Sequence, residues 1–251
     1  MLGAIEILKQ DLKLFSDNWK KMMPFLWLLI LPTFVLVAIG ILFSYLTALF
    51  PTTMLVNGLI ILAIFVAAML FSFWVNISLT KYLYDVYQNQ PTKNWKEYLS
   101  LSSPLILPII LVSLLTTLIV FGGLILLIIP GLIFALWYIF ATYVMMLEDK
   151  KKITECLSES KRLVVGRWWA IFWRFFLPGA ILGLGFMILS GLLTWLEAWL
   201  LNSFPMAQTA IFMIVSTVIN IIVTPLSVGL VIVIYTEARN TRPEAQALPT
   251  V

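Results

Sequence analysis

The stretch MMPFLWLLILPTFVLVAIGILFSYLTALFPTTMLVNGLIILAIFVAAMLFSFWVNISLT, residues 22–80, contains no Asp, Glu, Lys or Arg. One bilayer crossing needs about 20 apolar residues in a helix, so the tract is long enough for two. Uncharged tracts recur at 98–147, 175–196 and 198–236. Of the 251 residues, 62% are hydrophobic and 11% charged. A soluble domain carries about 25% charged residues, so this chain cannot cover itself with a polar surface. The mean hydropathy of +1.03 agrees. The sequence predicts an all-α integral membrane protein.

Pro51 and its neighbouring threonines divide the first tract into spans at about 23–46 and 54–82. The second tract divides between Gly122-Gly123 and Pro130-Gly131, giving spans at about 104–122 and 131–148. The whole 122–131 segment is expected to form a bent connection covered by protein, because lipid cannot hydrogen-bond exposed backbone. A fifth span is placed at 168–197. After the turn Asn202-Ser203-Phe204-Pro205, a sixth follows at 209–236, kinked at Pro225. Residues 1–240 thus read as a single six-span domain and 241–251 as a short flexible cytoplasmic tail. The first twenty residues hold Glu6, Lys9, Asp11, Lys13 and Asp17. That is too charged for the apolar core of a signal peptide, so the first span is expected to stay in the mature protein.

Charge sets the expected orientation. All sixteen Lys and Arg residues precede span one, lie between spans two and three or four and five, or follow span six. The opposite side carries only Glu197. The positive-inside rule then places both termini and the two longer loops in the cytoplasm, with a cytoplasmic (inner) membrane of a prokaryote as the location. The net charge of +4 is a membrane-surface property. Membrane lipids are the expected partners, a protein partner at the cytoplasmic face is a further expectation, and nucleic acid is not expected.

A theme repeats before each odd-numbered span: Asp17-Asn18-Trp19-Lys20 before Pro24, Lys93-Asn94-Trp95-Lys96 before Pro104, and Gly166-Arg167-Trp168-Trp169 before Pro178. It suggests an interfacial helix and two spans, used three times on the cytoplasmic face. In the third piece Ile153, Cys156, Leu157, Ser160, Leu163 and Val164 share a helical stripe, with Lys151, Lys152, Glu155, Glu159 and Arg162 elsewhere on the wheel. That helix is expected to lie flat on the bilayer.

No catalytic, cofactor-binding or metal-ligating constellation emerges. Histidine is absent and Cys156 is the only cysteine, which removes the commonest general base and any intrachain disulfide. Transport and intramembrane catalysis usually place ionisable groups at depth, and none lies mid-span. Asn76 and Asn220 are the candidate polar-cavity residues. With Asn57, Ser72, Ser78, Ser113, Thr116, Thr117, Ser216, Thr217 and Thr224 they are read first as interhelical hydrogen-bonding groups. Gly179 and Gly183, with Gly185 and Gly191, read as a close-packing surface on span five. Glu148-Asp149 reads as a solvated helix start rather than an acid/base pair.

The run Gly122-Gly123-Leu124-Ile125-Leu126-Leu127-Ile128-Ile129-Pro130-Gly131, followed by Phe134 to Phe140, Glu148-Asp149, Cys156 to Ser160 and Val165-Gly166-Arg167-Trp168-Trp169, carries a resemblance. It resembles the six-span membrane domain that prokaryotes fuse to some glycerophosphoryl diester phosphodiesterases and also use alone. The match covers roughly residues 115–180. Gly122, Gly123, Pro130, Gly131, Trp168 and Trp169 are structural motif positions and bring no catalytic residues with them. The resemblance implies a stand-alone membrane module without the phosphodiesterase domain or its activity. The expected role is non-enzymatic, accessory or scaffolding, in lipid or envelope maintenance, needing no cofactor. The alternative is a transporter of a lipid or small apolar solute.

Overall fold

The computed structural model describes residues 2–49, 54–148, 152–201 and 205–241; within them the side chains of 44, 46–49, 54, 197, 198, 200, 201, 205–215, 218 and 220 lie outside the description. The turns expected at 50–53 and 202–204, Asp149 and the tail expected from 242 lie outside it. The described residues form α1 (Ala4–Leu49), α2 (Met54–Tyr87), α3 (Trp95–Ser102), α4 (Ile106–Leu126), α5 (Ile128–Trp137), α6 (Ala141–Leu147), α7 (Ile153–Val164), α8 (Trp168–Leu201) and α9 (Pro205–Asn240). Six segments are long and apolar enough to cross a membrane, so the chain has the all-α architecture of a multi-pass membrane protein.

The N-terminal amphipathic piece is not a separate helix. No Gly or Pro interrupts residues 4–21, and α1 runs on through Pro24 and Pro32 as one 46-residue rod. At about 1.5 Å per residue it is roughly 70 Å long, more than twice a hydrocarbon core, so its charged end projects beyond the bilayer. The second repeated piece is the separate helix α3. The Asn94 side chain caps it by accepting from the Lys96 N–H at 3.3 Å.

Spans three and four turn at neither the glycines nor the proline. α4 passes through Gly122-Gly123 and ends at Leu126, and the single extended residue Leu127 (φ −163°, ψ 150°) joins it to α5. Pro130 is tolerated because it sits in the first turn of α5, where its missing N–H has no helical partner to lose. The glycines serve packing instead. A Cβ on Gly131 would stand 2.8 Å from the Leu124 backbone nitrogen, and one on Gly123 would stand 3.0 Å from the Gly131 Cα. The tip is uncovered: Ile125 to Ile129 are about 70% exposed, contrary to the expected shielding by protein. The Leu127 N–H bonds to the Gly123 carbonyl at 3.0 Å, which keeps that donor satisfied without neighbours.

The fourth crossing is broken again between α5 and α6. There Ser160 of α7 enters, its hydroxyl donating to the Trp137 carbonyl at 2.8 Å and accepting from the Phe140 N–H at 3.1 Å. The Lys161 ammonium lies over the Trp137 ring, 4.4 Å from its centre. The apolar stripe of α7 was expected to face the bilayer. Instead its Cys156, Leu157, Leu163 and Val164 belong to one buried cluster with Phe140, Ala141, Val144 and Met145. The helix thus packs its apolar face onto the protein core and exposes the other.

Burial is concentrated near the basic loops. Ile7, Ile77 and Val233 join the cluster around α7, while Met22, Phe25, Leu79, Tyr98 and Ile232 form a second one. Farther from those loops, Phe34 and Ile41 of α1, Leu55 and Leu59 of α2, and Met187 and Trp195 of α8 are exposed. Hydrocarbon solvates such side chains as well as protein does, so nothing drives them inward.

Candidate functional site

Mid-bundle, α1, α2 and α9 enclose a cavity of about 230 Å³. Thr33, Ser72, Ser216, Thr217 and Thr224 bring hydroxyls to its wall, and Leu29, Ile30 and Ile221 make it apolar elsewhere. Four of these five hydroxyl residues were among the polar residues read from the spans, and helix packing brings them together. Pro225, buried in α9, has no N–H to return to the Ile221 carbonyl, so α9 is weakened where it lines the cavity. Thr33 is exposed and marks the opening. Toward the basic face the space between the same helices is filled by Met22, Phe25, Leu26, Val75, Leu79 and Ile232, all buried. The cavity is therefore blind.

Asn76 lies one turn from Ser72, at the cavity's closed end. Its amide donates to the Ser72 carbonyl of its own helix at 3.0 Å, and the Thr80 hydroxyl donates to the Asn76 carbonyl at 2.8 Å. The interhelical hydrogen bond expected from its amide N–H is thus replaced by a bond along α2. Asn220 lies on α9, but its side chain is outside the described residues. Gly122 meets nothing within 4 Å, unlike Gly123 and Gly131, and Pro130 is half-buried. Gly179, Gly183, Gly185 and Gly191 also meet nothing within 4 Å, so the close packing expected along span five is not found among the described residues. Trp168 and Trp169 are both exposed and start an aromatic ladder with Phe172, Trp173 and Phe176, as suits a headgroup-level anchor.

Several polar groups escaped the sequence reading. Glu148 is not a solvated helix start; its side chain, 11% exposed, accepts from the Tyr235 hydroxyl at 2.6 Å and pairs with Arg239 at 3.8 Å. Arg239 in turn donates to the Tyr84 hydroxyl at 3.2 Å, so α2, α6 and α9 are tied at the basic face. The Arg167 guanidinium caps the end of α9, donating to the carbonyls of Ala238 and Thr241 and, at 2.8 Å, to Leu163. Arg174 donates to the Leu2 carbonyl at 2.8 Å. Basic residues that the topology rule only counts are thus structural clamps. Asp11 is buried at the crossing of α1 with α9, where Gly229 leaves room for its carboxylate, and neither oxygen has a hydrogen-bond partner among the described residues. No signal in the sequence distinguishes Asp11 from the solvated Asp17.

Among the described residues no group of three Asp, Glu or Cys side chains could share a metal ion. Comparison with protein-family models, curated proteins and solved structures returns no match.

Proposed function

We propose that the chain is a non-enzymatic accessory or scaffold protein of a prokaryotic cytoplasmic membrane, acting in lipid or envelope maintenance, with both termini in the cytoplasm. In this reading it is a stand-alone member of the membrane-domain family it resembles. The observation that carries the proposal is the blind cavity above a packed basic half. A carrier needs a path that can open to both sides, and here the two buried clusters and the Arg167, Arg174 and Glu148 clamps brace the basic end. One observation favours the rival, carriage of a lipid or small apolar solute: five hydroxyl residues converge on one cavity.

Complementation of a deletion strain separates the two. Ser72→Leu fills the cavity, and Asn76→Leu removes an amide one turn away whose bond runs along its own helix, so neither loses an interhelical hydrogen bond and each should cost less than about 1 kcal/mol. For a scaffold, envelope integrity should track the abundance of each variant. An abundant, folded Ser72→Leu protein that fails to complement would move the assignment to transport.

A further inference from the structure

The segments of α1, α2 and α9 that wall the blind cavity contain no Asp, Glu, Lys or Arg. Its lining residues on α1 and α2 fall in the uncharged tract 22–80, and those on α9 fall in 198–236. An ionised headgroup there would give up water without meeting a countercharge, which is costly. The wall still has polar capacity. A hydroxyl carries one donor and two acceptor positions, so Thr33, Ser72, Ser216, Thr217 and Thr224 can each serve a ligand besides the bonds they make within the protein. The Ile221 carbonyl adds an acceptor, because Pro225 returns no helical N–H to it.

The mouth opens on hydrocarbon. Thr33 is exposed, and the side chains that directly follow lining residues, Phe34 on α1 and Ile222 on α9, are exposed and apolar. At the other end the buried Met22, Phe25 and Leu79 close the space. A ligand therefore comes from the bilayer and not from water. The volume of about 230 Å³ falls below the roughly 300–1,000 Å³ of a site that engulfs a whole drug-sized ligand, so the cavity takes a headgroup and leaves acyl chains outside.

We propose that this cavity binds a diacylglycerol by its free hydroxyl, with the acyl chains left in the surrounding hydrocarbon. An uncharged wall of hydroxyls selects a neutral alcohol over an ionised phospholipid, and it selects an alcohol over a pure hydrocarbon because only the alcohol uses the wall's polar groups. The inference rests on the scaffold reading and deepens it, since a blind site holds the lipid as part of the bundle and does not pass it on.

The test uses the full chain purified in neutral detergent, with thermal unfolding followed while lipid is added. Dioleoylglycerol should raise the melting temperature. Dioleoyl phosphatidic acid, which is charged, and triolein, which has no hydroxyl, should not. Thr33→Val and Thr217→Val each remove one hydroxyl and should weaken the apparent affinity for dioleoylglycerol about fivefold, and the double variant about 25-fold. Thr117→Val makes the same change on the exposed face of α4, outside the cavity wall, and should respond like the unaltered chain. Equal shifts with dioleoylglycerol and triolein would overturn the proposal, and so would a matching effect of free glycerol at the same concentration. Affinity undiminished in both valine variants would overturn it too. The scaffold reading is judged apart, by whether complementation tracks abundance; a missing melting shift with that relation intact would overturn the lipid site alone.

Discussion

Replacing Leu157 by Glu should destabilise the protein by about 3–4 kcal/mol, since a buried apolar contact is lost and an unpaired charge enters the core. Leu157 stands beside Phe140 and Val144 in the cluster that closes the broken fourth crossing. Ser158→Glu places the same charge on the exposed side of α7 and should change stability by less than about 0.5 kcal/mol. Denaturant unfolding of the detergent-solubilised variants measures both. If the helix lay on the bilayer as a detachable anchor, Leu157→Glu would leave the transition of the remaining bundle in place.

Gly131→Ala should cost about 2–3 kcal/mol by overpacking, because its Cβ would press on the Leu124 backbone, which cannot swing aside as a side-chain tip can. Gly122→Ala should be neutral or slightly stabilising, as its Cβ meets open space and alanine favours helix. Thermal unfolding of the two variants side by side is the measurement. Equal melting temperatures would mean that α4 and α5 do not meet at Gly123 and Gly131.

These two cases mark what the sequence discloses. The crossings are legible because an uncharged run of about 20 residues has few alternatives to a membrane span, and Trp168 and Trp169 announce a headgroup level by residue type alone. The bounds and turns are less legible. Nothing in residues 4–21 distinguishes a surface helix from the first turns of a longer one, and α1 runs on as one rod packed against α2, α8 and α9. Gly and Pro suggested a turn at 122–131, yet Pro130 fits the start of α5 and Gly131 supplies closeness, leaving Leu127 to turn the chain. The small-residue spacing that predicts packing on span five is real in sequence but meets no partner among the described residues, while a contact that needs glycine joins Gly123 and Gly131 across a turn.

The cavity was half-legible. Ser72, Ser216, Thr217 and Thr224 were visible as polar residues in apolar helices, but their convergence with Thr33 depends on how α1, α2 and α9 pack. Asn76 drew attention, with Asn220, as a candidate polar-cavity residue, and its amide bonds along its own helix. Glu148 looked like a solvated charge because its partner Tyr235 lies 87 positions away, and the cap that Arg167 makes on α9 spans 74.

We propose that the packed, basic half of the bundle faces the cytoplasm. Cysteine-accessibility labelling in intact cells, in a Cys156→Ser background, tests this most directly. Thr52→Cys and Ser203→Cys should react with an impermeant thiol reagent from outside, and Lys93→Cys should react only after the membrane is opened. Labelling of Lys93→Cys in intact cells, with Thr52→Cys and Ser203→Cys protected, would contradict it.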